Sequence, residues 1–186
     1  DQEGGQIRRL TAAVGFEETA SAAALGRGTV SEAEQVYSDL ARRLSRLRFN
    51  LNFGPVVDLD LNASNPIIGR YERSFGSDAS LVVEMATAFV SGHREWGVAT
   101  ALKHFPGHGS SSRDTHDGFV DVTREWQDVE LQPFRAMINA DQADMVMVAH
   151  IFNANYAGDE SIELPASLSP EWIDGVLREE LGFDGV

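Results

Sequence analysis

The sequence predicts an α/β protein in which parallel strands are joined by crossover helices. Apolar runs typical of buried strands occupy residues 50–59, 98–102 and 144–149, and segments with helical periodicity lie between them. Strands that alternate with helices form parallel sheets. Polar residues follow each run, as they do at the catalytic face of a (β/α)8 barrel, which needs about 250 residues. We therefore expect one domain, residues 1–186, that is an incomplete barrel of this class.

The first two long helices are indicated by caps and apolar stripes. Ser31 and Glu34 fit a capping box, which predicts a helix that begins near residue 31. Its expected buried stripe is Val36, Leu40, Leu44 and Leu47. The second helix is predicted over residues 78–95 and ends near Gly97. Its expected inward residues are Leu81, Val82, Met85, Phe89 and Trp96. His93 is expected at the surface.

Later elements follow the same alternation. Thr123 is the expected cap of a helix that reaches Asn139. A further helix begins at Ser169-Pro170, with proline in its first turn, and ends at Leu181. Residues 183–186 are expected to begin one more strand. An alanine-rich stretch, residues 16–25, also has helical character.

The charge and composition exclude several partners. The chain carries 29 acidic and 15 basic residues, a net charge of −14, which argues against nucleic acid and anionic membranes, since both are bound through basic surfaces. There is no cysteine, and therefore no disulfide, thiolate metal site or thiol nucleophile. No apolar run approaches the length of a membrane span. The compartment is not fixed: bacterial cytoplasm is favoured, and a secreted or periplasmic location stays open.

The segment 103–116 concentrates the reactive side chains. It reads Lys-His-Phe-Pro-Gly-His-Gly-Ser-Ser-Ser-Arg-Asp-Thr-His and contains three of the five histidines, His104, His108 and His116. A predicted strand leads into Lys103 and His104, and a loop rich in glycine and serine carries Asp114 and His116 onward. Catalytic groups are often carried by loops on a rigid scaffold.

This segment resembles glycoside hydrolase family 3, and more narrowly its bacterial β-N-acetylhexosaminidase branch. The resemblance is carried by Lys-His-Phe-Pro-Gly-His-Gly at 103–109, followed by Asp-x-His at 114–116. Further matches occur in the same order along the chain at residues 1–5, 54–58, 65–69, 73–78, 147–150, 165–170 and 181–186. The resemblance thus covers nearly the whole chain.

The resemblance implies a retaining glycosidase that removes terminal β-linked N-acetylglucosamine without a cofactor. It makes His116 the acid/base and Asp114 its partner. The substrate-binding residues that it implies are Asp1, Arg73, Lys103, His104 and His150. Histidine suits this role because its unperturbed pKa is about 6.5. Asp114 is placed to orient the imidazole, and His108 is expected to brace the loop.

One departure from the family pattern concerns the nucleophile. The resemblance places that aspartate shortly after Val186, and Asp184 does not substitute because it lies at the opposite end of the strand. We therefore expect a central piece of a catalytic domain, truncated at both ends and inactive by itself. Exposed sheet edges favour pairing with another chain, so a homo-oligomer is expected.

Three alternatives stay open. A metal-dependent hydrolase would use His104, His108, Asp114 and His116 as ligands, although Pro106 and Gly107 prevent a helical His-x-x-x-His arrangement and no metal is predicted. A non-catalytic sugar-binding fragment is the second. Phosphorolysis is the third, because a neutral base repels phosphate less than a carboxylate does. The natural substrate, whether a peptidoglycan fragment, a chitin oligomer or another N-acetylhexosaminide, also stays open.

Overall fold

A computed structural model describes residues 1–158 and 163–186, and parallel strands form its centre. The strands are β1 (Leu51–Asn52), β2 (Ala99–Phe105), β3 (Val120–Asp121), β4 (Met145–Val148) and β5 (Ile151–Phe152). The first sheet has the order β1-β2-β4, and β3 pairs with β5 in a second sheet; all of these pairings are parallel. The three predicted strands and their parallel arrangement are therefore confirmed. The short β3–β5 pair was not predicted.

The register of the first sheet brings polar residues to one edge. Leu51 pairs with Ala99 and Ala101 with Met145. After β1 the chain passes Gly54 and Pro55 and returns to β2, where the Val57 N–H donates to the Lys103 carbonyl at 2.8 Å. Asp58, which follows immediately, thus lies beside the end of β2.

The helices alternate with the strands along the chain, as predicted. They are α1 (Ala22–Leu25), α2 (Val30–Arg46), α3 (Ala79–Glu95), α4 (Gln132–Asn139) and a last helix, Glu171–Glu180, with π-helical hydrogen bonding. Short 3-10 turns occupy Ala12–Val14, Gly69–Tyr71, Asp128–Leu131, Ala154–Tyr156 and Ala166–Leu168. Among the described residues, no helix is both long and apolar enough to cross a lipid bilayer.

The start of α2 differs from the sequence prediction. Thr29, not Ser31, is the N-cap, and it forms a reciprocal capping box with Glu32. The buried face also differs from the expected stripe, and its members are Ala33, Tyr37, Leu40, Ala41 and Leu44. Leu47, expected in the stripe, is exposed.

Helix α3 has its predicted bounds, but two of the residues expected on its buried side are more exposed than predicted. Asp78 caps the helix by accepting from the Leu81 N–H at 2.9 Å. Val82, Met85 and Phe89 are buried as expected. Leu81 is only partly buried, and Trp96 is 37% exposed.

His93 is fully buried, which contradicts its expected surface position. Its ring stacks on Phe89 with centroids 4.0 Å apart. Its Nδ1 lies 2.8 Å from the Phe89 carbonyl and its Nε2 lies 3.0 Å from the Asn52 amide nitrogen. Because a carbonyl only accepts, Nδ1 carries the proton and Nε2 accepts from Asn52. Burial lowers the pKa of His93 to about 4, so the ring is neutral at physiological pH.

The helix predicted from Thr123 to Asn139 begins later. The Thr123 N–H and hydroxyl both bind Asp121 Oδ1, so Thr123 forms a turn instead of a cap. A 3-10 turn at Asp128–Leu131 precedes α4, in which Pro133 occupies the first turn. Residues 183–186 do not form the expected strand, although the Val146 N–H donates to the Val186 carbonyl at 2.8 Å.

Candidate active site

A buried lysine forms the floor of the site. Lys103 lies in β2 and is only 1% exposed. Its Nζ lies 2.6 Å from Glu3 Oε1 and 2.9 Å from Asp1 Oδ1. Burial lowers the pKa of Lys103, and the Glu3 charge opposes that shift. A buried cation requires such partners, so the turn at the start of the chain is fixed against the end of β2.

Arg73 supplies the second buried cation. Its Nε and Nη2 donate to the two oxygens of Glu3 at 2.9 and 2.8 Å, a bidentate pair in which both side chains are buried. Burial alone would raise the pKa of Glu3, but the Arg73 hydrogen bonds and the Lys103 charge outweigh it and hold that pKa below its ordinary value. Glu3 is therefore a carboxylate shared by two cations.

His104 connects Arg73 to Asp58. Its Nδ1 lies 2.6 Å from Asp58 Oδ2, and its Nε2 lies 3.1 Å from Arg73 Nη2. Because a guanidinium only donates, Nε2 must accept, so the proton lies on Nδ1 and the ring is neutral. Burial lowers the pKa of His104, which agrees with a neutral ring.

Asp58 holds both the strand end and the loop that follows it. Its Oδ1 accepts from the backbone N–H groups of His104 at 3.2 Å and His108 at 2.8 Å. Burial acts to raise its pKa, but His104 and His108 together lower it below the ordinary value. Asp58 is thus an ionised anchor beneath the site.

The base of the following loop is held by an amide. Asn65 Nδ2 donates to the carbonyls of His108, Ser111 and Gly109 at 2.8, 3.0 and 3.1 Å. His108 Nδ1 lies 2.7 Å from Ser111 Oγ, so this ring joins two parts of the same loop, as the bracing interpretation requires. A Cβ atom at Gly109 would lie 1.7 Å from the Leu59 carbonyl, so only glycine fits this close approach.

Asp114 and His116 form a pair at the tip of the loop. Asp114 Oδ1 lies 2.7 Å from His116 Nδ1 and accepts from the His116 N–H at 2.9 Å. Partial burial acts to raise the pKa of Asp114, but its bonds to His116 lower it, so the carboxylate is ionised at neutral pH. The His116 side chain is 79% exposed. Because a carboxylate only accepts, Nδ1 donates to Asp114.

These parts meet at a cavity of about 660 Å3. Six of the seven predicted site residues line it: Asp1, Arg73, Lys103, His104, His116 and His150. Asp114 lines a second cavity of about 500 Å3, together with other residues of the same loop. His150 follows β4, and its Nδ1 lies 2.6 Å from Ser167 Oγ, which fixes the ring at the cavity edge.

The residue set predicted from the sequence lacked Glu3 and Asp58. Both lie within motifs that carried the family resemblance, and both are acidic. Had the sequence shown that Lys103 and Arg73 are buried, it would also have pointed to acidic partners such as Glu3 and Asp58, because buried cations need anionic partners. Sequence spacing does not show that burial.

The ligand set of the metal-hydrolase alternative is separated in the structure. His104 binds Asp58 and Arg73, and His116 binds Asp114. Within residues 1–158 and 163–186, no group of three or more such side chains converges in a metal-ligating arrangement.

The whole chain, residues 1–186, matches the glycosyl hydrolase family 3 N-terminal domain. The chain belongs to glycosyl hydrolase family 3. Beta-hexosaminidase A from Pseudoalteromonas piscicida is 35% identical over 100% of this chain and 33% of its own length. The chain thus spans about a third of the length of that relative.

Solved family 3 structures share the fold. A glycoside hydrolase family 3 beta-N-acetylglucosaminidase from Paenibacillus sp. str. FPU-7 has a TM-score of 0.89 and 40% identity, over 100% of this chain and 35% of that one. NagZ from Neisseria gonorrhoeae, solved with N-trifluoroacetyl-D-glucosamine, has a TM-score of 0.87 and 32% identity, over 100% of this chain and 55% of that one. The predicted α/β class, a part of a (β/α)8 barrel, is confirmed.

Proposed function

We propose that the protein carrying this chain is a retaining β-N-acetylhexosaminidase that releases terminal β-linked N-acetylglucosamine. The observation that carries the proposal is one cavity with two kinds of wall: a buried network of charges and the exposed His116, whose Nδ1 is held by Asp114. The names of the relatives, beta-hexosaminidase and beta-N-acetylglucosaminidase, support this substrate class.

The buried network is suited to bind sugar hydroxyls. Lys103 Nζ has three N–H donors, of which Glu3 and Asp1 accept two, leaving one for a ligand. Hydroxyl groups both donate and accept, and charge-assisted bonds to them are stronger than neutral ones. We assign Asp1, Arg73, Lys103 and His104 to the sugar hydroxyls and His150 to the cavity edge.

The exposed pair is suited to proton transfer. In our assignment, His116 Nε2 gives a proton to the departing glycosidic oxygen and later takes one from the attacking water. Asp114 holds the Nδ1–H and stabilises the imidazolium. The nucleophile is assigned to the aspartate that the family resemblance places after Val186, so the 186-residue chain alone is expected to be inactive.

The test uses the complete natural protein with a 4-nitrophenyl N-acetyl-β-glucosaminide. His116→Ala should lower kcat about 100- to 10,000-fold, the range for loss of a general acid/base. Azide should restore turnover and give a β-glycosyl azide, because the covalent intermediate forms on the nucleophile and a small anion needs no base. Unchanged turnover in the variant, or release of an inverted α-sugar by the wild type, would overturn the proposal.

Two further arms separate the alternatives. Product analysis with phosphate present should give free N-acetylglucosamine; a sugar 1-phosphate would favour phosphorolysis. Titration of the 186-residue chain with N-acetylglucosamine, together with scattering, examines the fragment itself. We expect binding without turnover, because the proposed nucleophile is not among these residues. We also expect an oligomer, because unpaired sheet edges favour pairing with another chain; a well-packed monomer would contradict this second expectation.

A further inference from the structure

Glu130 is a buried carboxylate that belongs neither to the charge network nor to the exposed pair. It lies on the 3-10 turn Asp128–Leu131 and is 1% exposed. Its Oε2 accepts from the backbone N–H groups of Gly109 at 3.0 Å and Ser110 at 3.3 Å, and its Oε1 accepts from Ser110 Oγ at 2.6 Å. Three of its hydrogen bonds therefore reach the loop that carries the acid/base pair.

The loop packs closely against this side chain. A Cβ atom at Gly107 would lie 2.6 Å from Glu130 Cβ, so the backbone runs directly over the carboxylate stem. A fourth donor, the Gln127 N–H, approaches Oε1 at 3.3 Å. Burial raises the pKa of Glu130 to about 7, and the Asp58 charge adds to that shift. Two donors thus approach each oxygen of Glu130, which satisfies the hydrogen-bonding capacity of this buried group.

The loop has a fixed base and a locally held tip. Asp58, Asn65 and Glu130 grip residues 108–111 from separate parts of the chain. Residues 114–117 are held mainly by bonds among themselves. The position of His116 over the cavity therefore depends on the base from which the tip extends.

We propose that Glu130 is a positioning residue for catalysis: its grip on Gly109 and Ser110 sets the place of Asp114 and His116 at the mouth of the sugar cavity. The inference rests on the proposed function, in which His116 is the acid/base. Glutamine at this position would offer one acceptor oxygen and turn an NH2 group toward backbone donors. The base of the loop would shift, and the sugar-binding network, to which Glu130 makes no hydrogen bond, would stay in place.

The distinguishing measurement is the dependence of kcat/KM on the leaving group, made with the complete protein. A poor leaving group needs proton transfer from His116, and a 2,4-dinitrophenolate does not. Glu130→Gln should lower kcat/KM about 10- to 100-fold for alkyl N-acetyl-β-glucosaminides and less than about 5-fold for the dinitrophenyl substrate. The Kd of N-acetylglucosamine should stay within about 2-fold of wild type.

Glu125→Gln is the matched control. Glu125 binds the N–H and Oγ of Ser112 at 3.0 and 2.6 Å, the same pair of contacts on a neighbouring serine, but at the exposed surface. Its loss should change kcat/KM less than about 2-fold, because an exposed contact is readily replaced by water.

Each outcome decides one question. An equal loss for all leaving groups, or weaker sugar binding, would show that Glu130 is merely structural. If Glu130→Gln does not fold, Ser110→Ala removes the 2.6 Å hydrogen bond to Glu130. This variant should lose less kcat/KM, with the same dependence on the leaving group. A loss that is equal for all leaving groups, or wild-type kcat/KM, would overturn the inference. If His116→Ala itself keeps full kcat/KM, the proposed function fails first, and the two failures are thus distinguished.

Discussion

The strand-end network and the loop-tip pair are both built from acidic and basic side chains, yet they differ in every physical respect. Glu3, Arg73 and Lys103 are buried and hold each other across long sequence separations. Asp114 and His116 are two residues apart, and His116 is largely exposed. The first arrangement fixes charges so that a ligand meets preorganised donors. The second holds His116 by its Nδ1 alone among the ring atoms and leaves the side chain largely in solvent.

Under the proposed function, this difference separates sugar binding on the scaffold from proton transfer on the loop. Removing a member of the network should damage folding and binding together, because a buried charge would lose its partner. Removing a member of the pair should damage chemistry alone. The following predictions test that division, from the largest expected effect to the smallest.

Glu3→Gln should lower the free energy of unfolding by about 3–5 kcal/mol, the cost of breaking a buried ion pair. Glu3 serves Arg73 and Lys103 at once, so both cations would lose their main partner. Urea denaturation of the wild type and the variant measures the change. Glu17→Gln is the control, because the Glu17 side chain, which pairs with Arg43, is 83% exposed and should matter little. A Glu3 variant as stable as its control would contradict the network's role.

His93 should make the protein less stable in acid. Its folded pKa of about 4 lies below the unfolded value of 6.5. The unfolded state therefore binds more protons between these values, and stability falls as pH drops from 6.5 through 4, by about 3 kcal/mol for this group. His93→Gln should flatten the pH dependence of unfolding in that window.

The effect of His93 should extend to the site through Asn52. Asn52 accepts from the Gln2 N–H and donates to the Gln2 carbonyl, both at 3.0 Å, and Gln2 lies between the site residues Asp1 and Glu3. Weaker sugar binding below pH 5 should therefore accompany the loss of stability. An unfolding curve with the same pH slope in wild type and His93→Gln would rule out this group as the cause.

Asp114→Asn should reduce kcat/KM about 10- to 100-fold with little change in stability. Asparagine keeps an acceptor for the His116 N–H but removes the charge that favours the imidazolium. Steady-state kinetics and urea denaturation on the same sample compare the two properties. A large loss of stability would show that the tip, like the network, is structural.

Particular residues show how far the sequence alone could lead. The order of strands and helices along the chain and the placement of Lys103 and His104 at a strand end follow from periodicity and short motifs, which are local. Burial of His93 and Glu130 could not be foreseen, because it depends on contacts with residues that are distant in the sequence. Their environments come from Asn52 and from residues 109–110, which are brought near only by the fold.

The helix cap gives the smallest and most local test. Thr29-x-x-Glu32 and Ser31-x-x-Glu34 both fit a capping box, so the sequence pattern alone does not choose between them. The structure chooses Thr29, and the helix buries Tyr37 and Ala41, which the predicted stripe had left out. Glu32 Oε2 accepts from the Thr29 N–H at 2.8 Å, and the Glu32 N–H donates to Thr29 Oγ1 at 3.2 Å.

Thr29→Ala should therefore cost about 1 kcal/mol of stability, the usual effect of losing an N-cap, with kcat/KM unchanged. Ser31→Ala should cost nothing measurable, because Ser31 lies inside the helix, where alanine is the better helix former. Paired urea denaturation curves measure both. Equal losses for the two variants would mean that the start of the helix shifts between the two caps. The scaffold that carries the network and the loop would then be less rigid than its hydrogen bonds indicate.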